Sequence, residues 1–157
     1  MNDETKVEEK TSEENRGKRF EEEKTFTSLR VYENIFPTVV RTLKLIESLD
    51  QFKLKNQHLL QMLNENCIEI LSSLADGYNK YHTEGKVQLY NKARSCISRV
   101  QSLLLTLNGM EVLNKKQVFD LLNDYEDSLR FLNGLIKTME TIKKTDKVGE
   151  TKNANEP

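Results

Sequence analysis

Residues 87–109, VQLYNKARSCISRVQSLLLTLNG, set Leu89, Ala93, Cys96, Ile97, Val100, Leu103, Leu104 and Leu107 at steps of three and four. That spacing turns one apolar stripe toward a core and does not fit the two-residue alternation of a strand. Asn108-Gly109 supplies a stop, and Thr83 an N-cap, with Glu84 in the first turn where its charge favours the helix dipole. This segment is a helix, and its neighbours follow the same rule.

Before it lies LADGYNKYHTEG, residues 74–85, which reads as a connection: Gly77 ends the preceding helix in a left-handed conformation and Asn79 to His82 carry the chain across. That preceding helix runs from about Phe52 to Tyr78 with Leu59, Leu60, Leu63, Cys67, Ile70, Leu71 and Leu74 on its stripe. Earlier still, Leu29, Tyr32, Phe36, Val39, Val40, Leu43 and Ile46 recur at helical steps after Ser28, an N-cap. Pro37 sits inside that pattern, so the helix kinks there or a short first piece ends near Ile35. Beyond the starting segment, Asn114 and Gln117 resemble a capping box for a last helix lined by Val118, Leu121, Leu122, Tyr125, Leu129, Leu132, Ile136 and Met139.

Four amphipathic helices on short loops make antiparallel neighbours, and an up-down-up-down four-helix bundle over residues 28–144 is the economical all-α architecture. Composition agrees, because six Gly, two Pro and no Trp in 157 residues leave too little punctuation for strands. Counting residues outward from the 74–85 connection sets Cys67 and Cys96 at nearly one level as buried apolar thiols.

Charge divides the chain. Residues 1–27 hold six Lys/Arg against nine Asp/Glu, and residues 145–157 two against three, which leaves sixteen basic and thirteen acidic residues in the body. Both ends lack the apolar residues needed to offset ordering entropy and read as a disordered arm and tail. The body's mild positive excess is compatible with nucleic-acid contact without demanding it. No apolar run reaches the length of a membrane span and the first twenty residues hold no signal-peptide core, so a cytoplasmic protein is expected.

Chemistry fails on spacing. A calcium loop starting at Asp76 would need oxygen ligands where Tyr78 and Lys80 stand, a Gly where Tyr81 stands and a Glu where Val87 stands. His58 and His82 are separated by most of a helix, and neither cysteine has a second ligand at zinc spacing. Ser72 and Ser73 lie near Asp76 and His82 but no nucleophile elbow surrounds them. Asp124 with Asp127, and Glu65 with Glu69, fall on polar faces. The expectation is a protein that is not an enzyme and carries no cofactor.

Large apolar residues off the stripes are more informative: Met62 and Ile68 on the second helix, and Phe119, Phe131 and Leu135 on the fourth, point to a subunit interface. Lys92 and Arg99 share one flank of the third helix at a seven-residue step, and Arg130 and Lys137 repeat it on the fourth. Symmetry would multiply such rows into a basic band that attracts phosphates.

The order of these features resembles a bacterial family of four-helix-bundle proteins that includes the 23S rRNA intervening-sequence proteins and the accessory variability determinants of diversity-generating retroelements. The likeness runs through FPTVVRTLKLIESLDQFKLKNQHLLQML (36–63), SSLADGYNK (72–80) and LYNKARSCISRVQSLLLTLNGMEVLNKKQVFDLLNDYEDSLRFLNGLIKTM (89–139), covering roughly residues 28–143. Ser73, Leu74, Ala75, Asp76 and Gly77 look like the intervening-sequence group's Asn-Ile-Ala-Glu-Gly turn, with Ser73 in place of the Asn. Cys96 and Arg99 stand where that group tends to have Ser and Glu, which tilts the likeness toward the accessory determinants.

That branch implies a homopentameric barrel that binds RNA and a reverse transcriptase and supports mutagenic complementary-DNA synthesis without catalysing it. Lys92, Arg94, Arg99, Arg130 and Lys137 are the expected phosphate contacts. The alternatives are an intervening-sequence-type bundle or a protein-interaction module without nucleic acid.

Overall fold

The structure is a computed structural model that describes residues 24–153, with the side chains of 50–55 and 145–153 excepted. A 3-10 turn at Phe26–Ser28 leads into four helices: α1 Arg30–Glu47, α2 Asp50–Asn79, α3 Thr83–Gly109 and α4 Lys115–Asn153. No strand occurs among the described residues. The helices pack α1 on α2, α2 on α3, α3 on α4 and α4 on α1, while the diagonal pairs stay apart, which is the cross-section of a four-helix bundle.

The core follows the stripes on three helices. Leu63, Cys67, Ile70 and Leu74 of α2 meet Ala93, Cys96, Ile97, Val100 and Leu104 of α3 and Val118, Tyr125, Leu132 and Ile136 of α4. On α1 the expected stripe is rotated. Val31, Ile35, Thr38, Val39 and Thr42 face inward, whereas Tyr32, Val40, Leu43 and Ile46 are half-buried and Phe36 is 45% exposed. The inward threonines are tolerated because their hydroxyls are bonded: Thr42 Oγ1 donates to the Thr38 carbonyl at 2.9 Å and lies 2.9 Å from Tyr125 Oη.

Helix ends depart from the local reading in instructive ways. Ser28 does not cap α1; its hydroxyl donates to the Thr25 carbonyl, and Leu29 precedes the helix without a side-chain cap. Pro37 neither ends α1 nor splits it. The helix continues through it with both Pro37 and Glu33, whose carbonyl loses a partner, on the exposed side. Asn114 does cap α4, its Oδ1 accepting from the Gln117 amide at 2.9 Å. The Gln117 side chain returns to the Asn114 side-chain amide at 2.7 Å.

Gly77 is not a left-handed terminus either. No described glycine has positive φ, α2 runs on to Asn79, and His82 rather than Thr83 occupies the cap position of α3. What requires glycine at 77 is proximity, since a Cβ there would stand 2.5 Å from Tyr90 Cε1. Lys86 then ties the connection by donating to the Tyr78 carbonyl at 2.8 Å.

At the end of α3 the left-handed residue is Glu111, φ 59°, and not Gly109. Val112 N bonds the Leu107 carbonyl and Glu111 N the Asn108 carbonyl, the paired bonds of a Schellman motif. A side chain in that conformation is strained. Glu111→Gly is therefore expected to raise stability by about 1 kcal/mol in chemical denaturation.

Residues 1–23 of the expected arm lie outside the described residues. The expected tail from 145 is helical backbone as far as Asn153, where Gly149 is the only strong helix-disfavouring residue, and residues 154–157 lie outside the described residues.

Candidate functional site

The five expected phosphate contacts divide between two seams. Lys92 points to α2, where its ammonium pairs with Glu69. Arg99, seven residues on, shares that edge of α3. Arg94 turns the other way, its Nη1 3.5 Å from Asn133 Oδ1 on α4. Two residues in a helix are about 200° apart, so Lys92 and Arg94 must face opposite neighbours.

Asn133 then locates the fourth-helix cations. Arg130 is three residues before it and Lys137 four after it, the two spacings that share a helix face. Arg94, Arg130 and Lys137 therefore gather along the outer α3–α4 seam, and Lys92 with Arg99 along α2–α3. Sequence reasoning found the cations but missed Asn133, which Arg94 faces, and Glu69, which pairs with Lys92.

Their availability differs. Hydrogen bonding to Lys92, and next to Ser73, holds the Glu69 carboxyl below its usual range, and the same contact raises Lys92. Arg130 is paired with Asp127 at 3.1 Å within one helix turn, but both side chains are more than half exposed, so this pair is weak and exchangeable. No ion pair engages Arg94 or Lys137 among the described residues. The α3–α4 seam is the freer of the two.

The expected subunit contacts also separate. Met62 and Ile68 of α2 are each 48% exposed and Phe119 of α4 is 44% exposed. Phe131 and Leu135, expected to reach water, are half-buried against the core. The reason is α1, which lies along that flank of α4 and stacks the Arg30 guanidinium 4.4 Å over the Phe131 ring. Met62 and Ile68 are six residues apart, about a third of a turn in net rotation, so they belong to different edges of α2.

Inside the bundle one polar node joins three helices. Tyr125 Oη of α4 lies 2.9 Å from Thr42 Oγ1 of α1 and 3.8 Å from Cys67 Sγ of α2. Burial pushes the Cys67 thiol up to about 11 and the Tyr125 phenol well above its ordinary value. Cys67 is thus a protonated, enclosed thiol rather than a nucleophile. Cys96 is likewise buried and free; burial raises its thiol, while the nearby Arg99 and Lys92 charges act to lower it.

Among the described residues no three His, Cys, Asp or Glu side chains are placed to hold a metal ion, and no helix is long and apolar enough to cross a membrane. In the connection at 74–85 Tyr81 stands in solvent edge-on to His82 at 5.1 Å. The class defined by these features is a four-helix bundle with two basic seams. No family model, curated protein or solved structure matches the chain.

Proposed function

We propose that this chain is a non-catalytic accessory protein that binds RNA along the α3–α4 seam and works beside a reverse transcriptase, as its resemblance to the accessory variability determinants implies. The observation that supports the reading best is the contact of Arg94 with Asn133, which sets Arg94 against the side of α4 that carries Arg130 and Lys137 at helical spacing. Three cations from two rigid helices, one held only by an exposed intrahelical pair, offer phosphates a preformed line of contacts.

Repetition of the seam in a homo-oligomer would lengthen that line. Met62, Ile68 and Phe119 are the exposed apolar side chains available for such an assembly, with a pentamer as the expected form. A clean monomer in native mass measurement at micromolar concentration contradicts this part of the reading.

Filter retention of single-stranded RNA tests the function. Wild-type chain is expected to retain RNA at low salt, with log affinity falling against log salt at a slope of about −2 if three phosphates are neutralised. The Arg94→Glu/Lys137→Glu variant is expected to lose at least about tenfold. Lys92→Glu/Arg99→Glu should lose less, because Glu69 already engages Lys92. Unchanged retention by the first variant, or none by the wild type, defeats the proposal. A reverse transcriptase gene beside this one would favour the accessory role, and placement within an rRNA gene the intervening-sequence alternative.

A further inference from the structure

The outer face of α1 carries a feature unrelated to either basic seam. Tyr32 and Phe36, four residues apart and hence one above the other, hold their rings 5.9 Å apart at 18°. Phe26, on the preceding 3-10 turn, meets Tyr32 edge to face at 5.0 Å and 72°. With Thr27 and Glu33 these rings line a groove of about 430 Å³. Two aromatic walls at nearly right angles and a carboxylate therefore share one opening.

The walls are built in advance. Phe26 sits in a turn closed by Ser28 N and Leu29 N donating to the Thr25 and Phe26 carbonyls at 3.0 and 3.1 Å. Tyr78 Oη donates to the Lys24 carbonyl at 2.9 Å, fastening that turn to the end of α2. Little ordering is left for a ligand to impose.

We infer that this groove receives an organic cation, the alkylammonium or guanidinium end of a basic side chain on a partner protein. The argument is one of matched chemistry. Aromatic faces present negative potential, so they attract a cation that is large and weakly hydrated. Glu33 adds a full negative charge at the same opening, and no ion pair engages it among the described residues. A phosphate would be repelled by that carboxylate, which argues against a nucleotide stacking on the rings. A wholly aliphatic ligand would desolvate Glu33 with nothing in exchange. Only a cation on an apolar stem satisfies both the rings and the carboxylate.

The chain's own α1 guanidinium groups are used elsewhere. Arg30 lies over Phe131 and Arg41 pairs with Asp124, both on the α4 side of α1. Phe36, 45% exposed, leaves the groove open along one side, so a side chain can enter while attached to its backbone. This inference stands apart from RNA binding, and neither fails with the other.

Amide chemical-shift mapping of the 157-residue chain tests it, with four probes: a short Gly/Ser peptide bearing one trimethyl-lysine, the same peptide with the neutral carbon isostere of that residue, tetramethylammonium, and oligouridine. Expected are shifts centred on Phe26, Tyr32, Glu33 and Phe36 with both cations, and about tenfold weaker binding of the neutral peptide. Glu33→Gln should weaken the cationic peptide severalfold and leave the neutral one unchanged. Phe36→Ala, at an exposed position where the fold is retained, should abolish cation binding. Equal affinity for the neutral isostere overturns the inference, as does absence of shifts at about 10 mM cation. Shifts at these residues from oligouridine in preference to the cations would make the rings a base-stacking surface and overturn it equally.

Discussion

Gly77→Val will lower the thermal midpoint by roughly 6 to 12 °C, corresponding to about 3 kcal/mol in a chain of this length. The cause is Tyr90. A Cβ at position 77 would meet its ring at 2.5 and 2.8 Å, and Tyr90 is 2% exposed, so the ring has no open side into which to retreat. Gly77→Ala is the sharper case because two effects oppose. Alanine favours the α2 helix by about 1 kcal/mol over glycine, while overpacking costs about 1 to 3 kcal/mol, so the variant should be no more stable than wild type and most often less. Combining Gly77→Ala with Tyr90→Leu should give a loss smaller than the sum of the two. Circular-dichroism melts of the four proteins measure this, and a clear gain from Gly77→Ala alone would mean that α2 and α3 are not held at this separation.

Tyr125→Ala should cost about 3 to 5 kcal/mol in denaturant unfolding, the range for deleting a fully buried aromatic ring. Tyr125→Phe should cost only about 1 kcal/mol. The difference separates the ring's packing from its hydroxyl. Removing Oη leaves Thr42 its bond to the Thr38 carbonyl, so the only buried group to lose its partner is the weakly bonding Cys67 thiol. Were the two variants equally damaging, the hydroxyl contacts to Thr42 and Cys67 would have to carry the energy instead of the ring.

The reading of α2, α3 and α4 from sequence succeeds because nearly every deep position on those helices is apolar, from Leu63 and Ile70 to Val100, Leu104 and Leu132, with Ser73 and Ser128 the small polar exceptions. On α1 the same rule selects a face rotated from the buried one, with Val39 common to both. Thr38 and Thr42 point inward and score as polar, while Tyr32, Phe36 and Leu43 score as core and lie at the surface or partly so. Bonding partners on α4 decide the matter, and they are distant in sequence. Gly77 illustrates the same limit: a glycine near a helix end is read as a terminus, whereas its cause is a tyrosine on another helix. Glu111 gives no local sign that it, rather than the adjacent Asn-Gly, takes the left-handed turn. Among the site residues, helical spacing alone separates Lys92 from Arg94, but nothing local reveals that Glu69 holds the first and Asn133 faces the second.

The way α1 is attached has a kinetic consequence. Beyond Val31, Ile35 and Val39 its hold on the bundle includes a hydroxyl pair at Thr42, Ser128 bonded to Asn34 at 2.7 Å, and the Arg41–Asp124 pair. Water replaces such contacts at small net cost, so among the four helices α1 is expected to undock at the lowest free energy. Its departure uncouples Thr42 from Tyr125 and brings solvent toward Cys67. A thiol silent in the closed bundle thereby becomes a clock for the undocking of one helix.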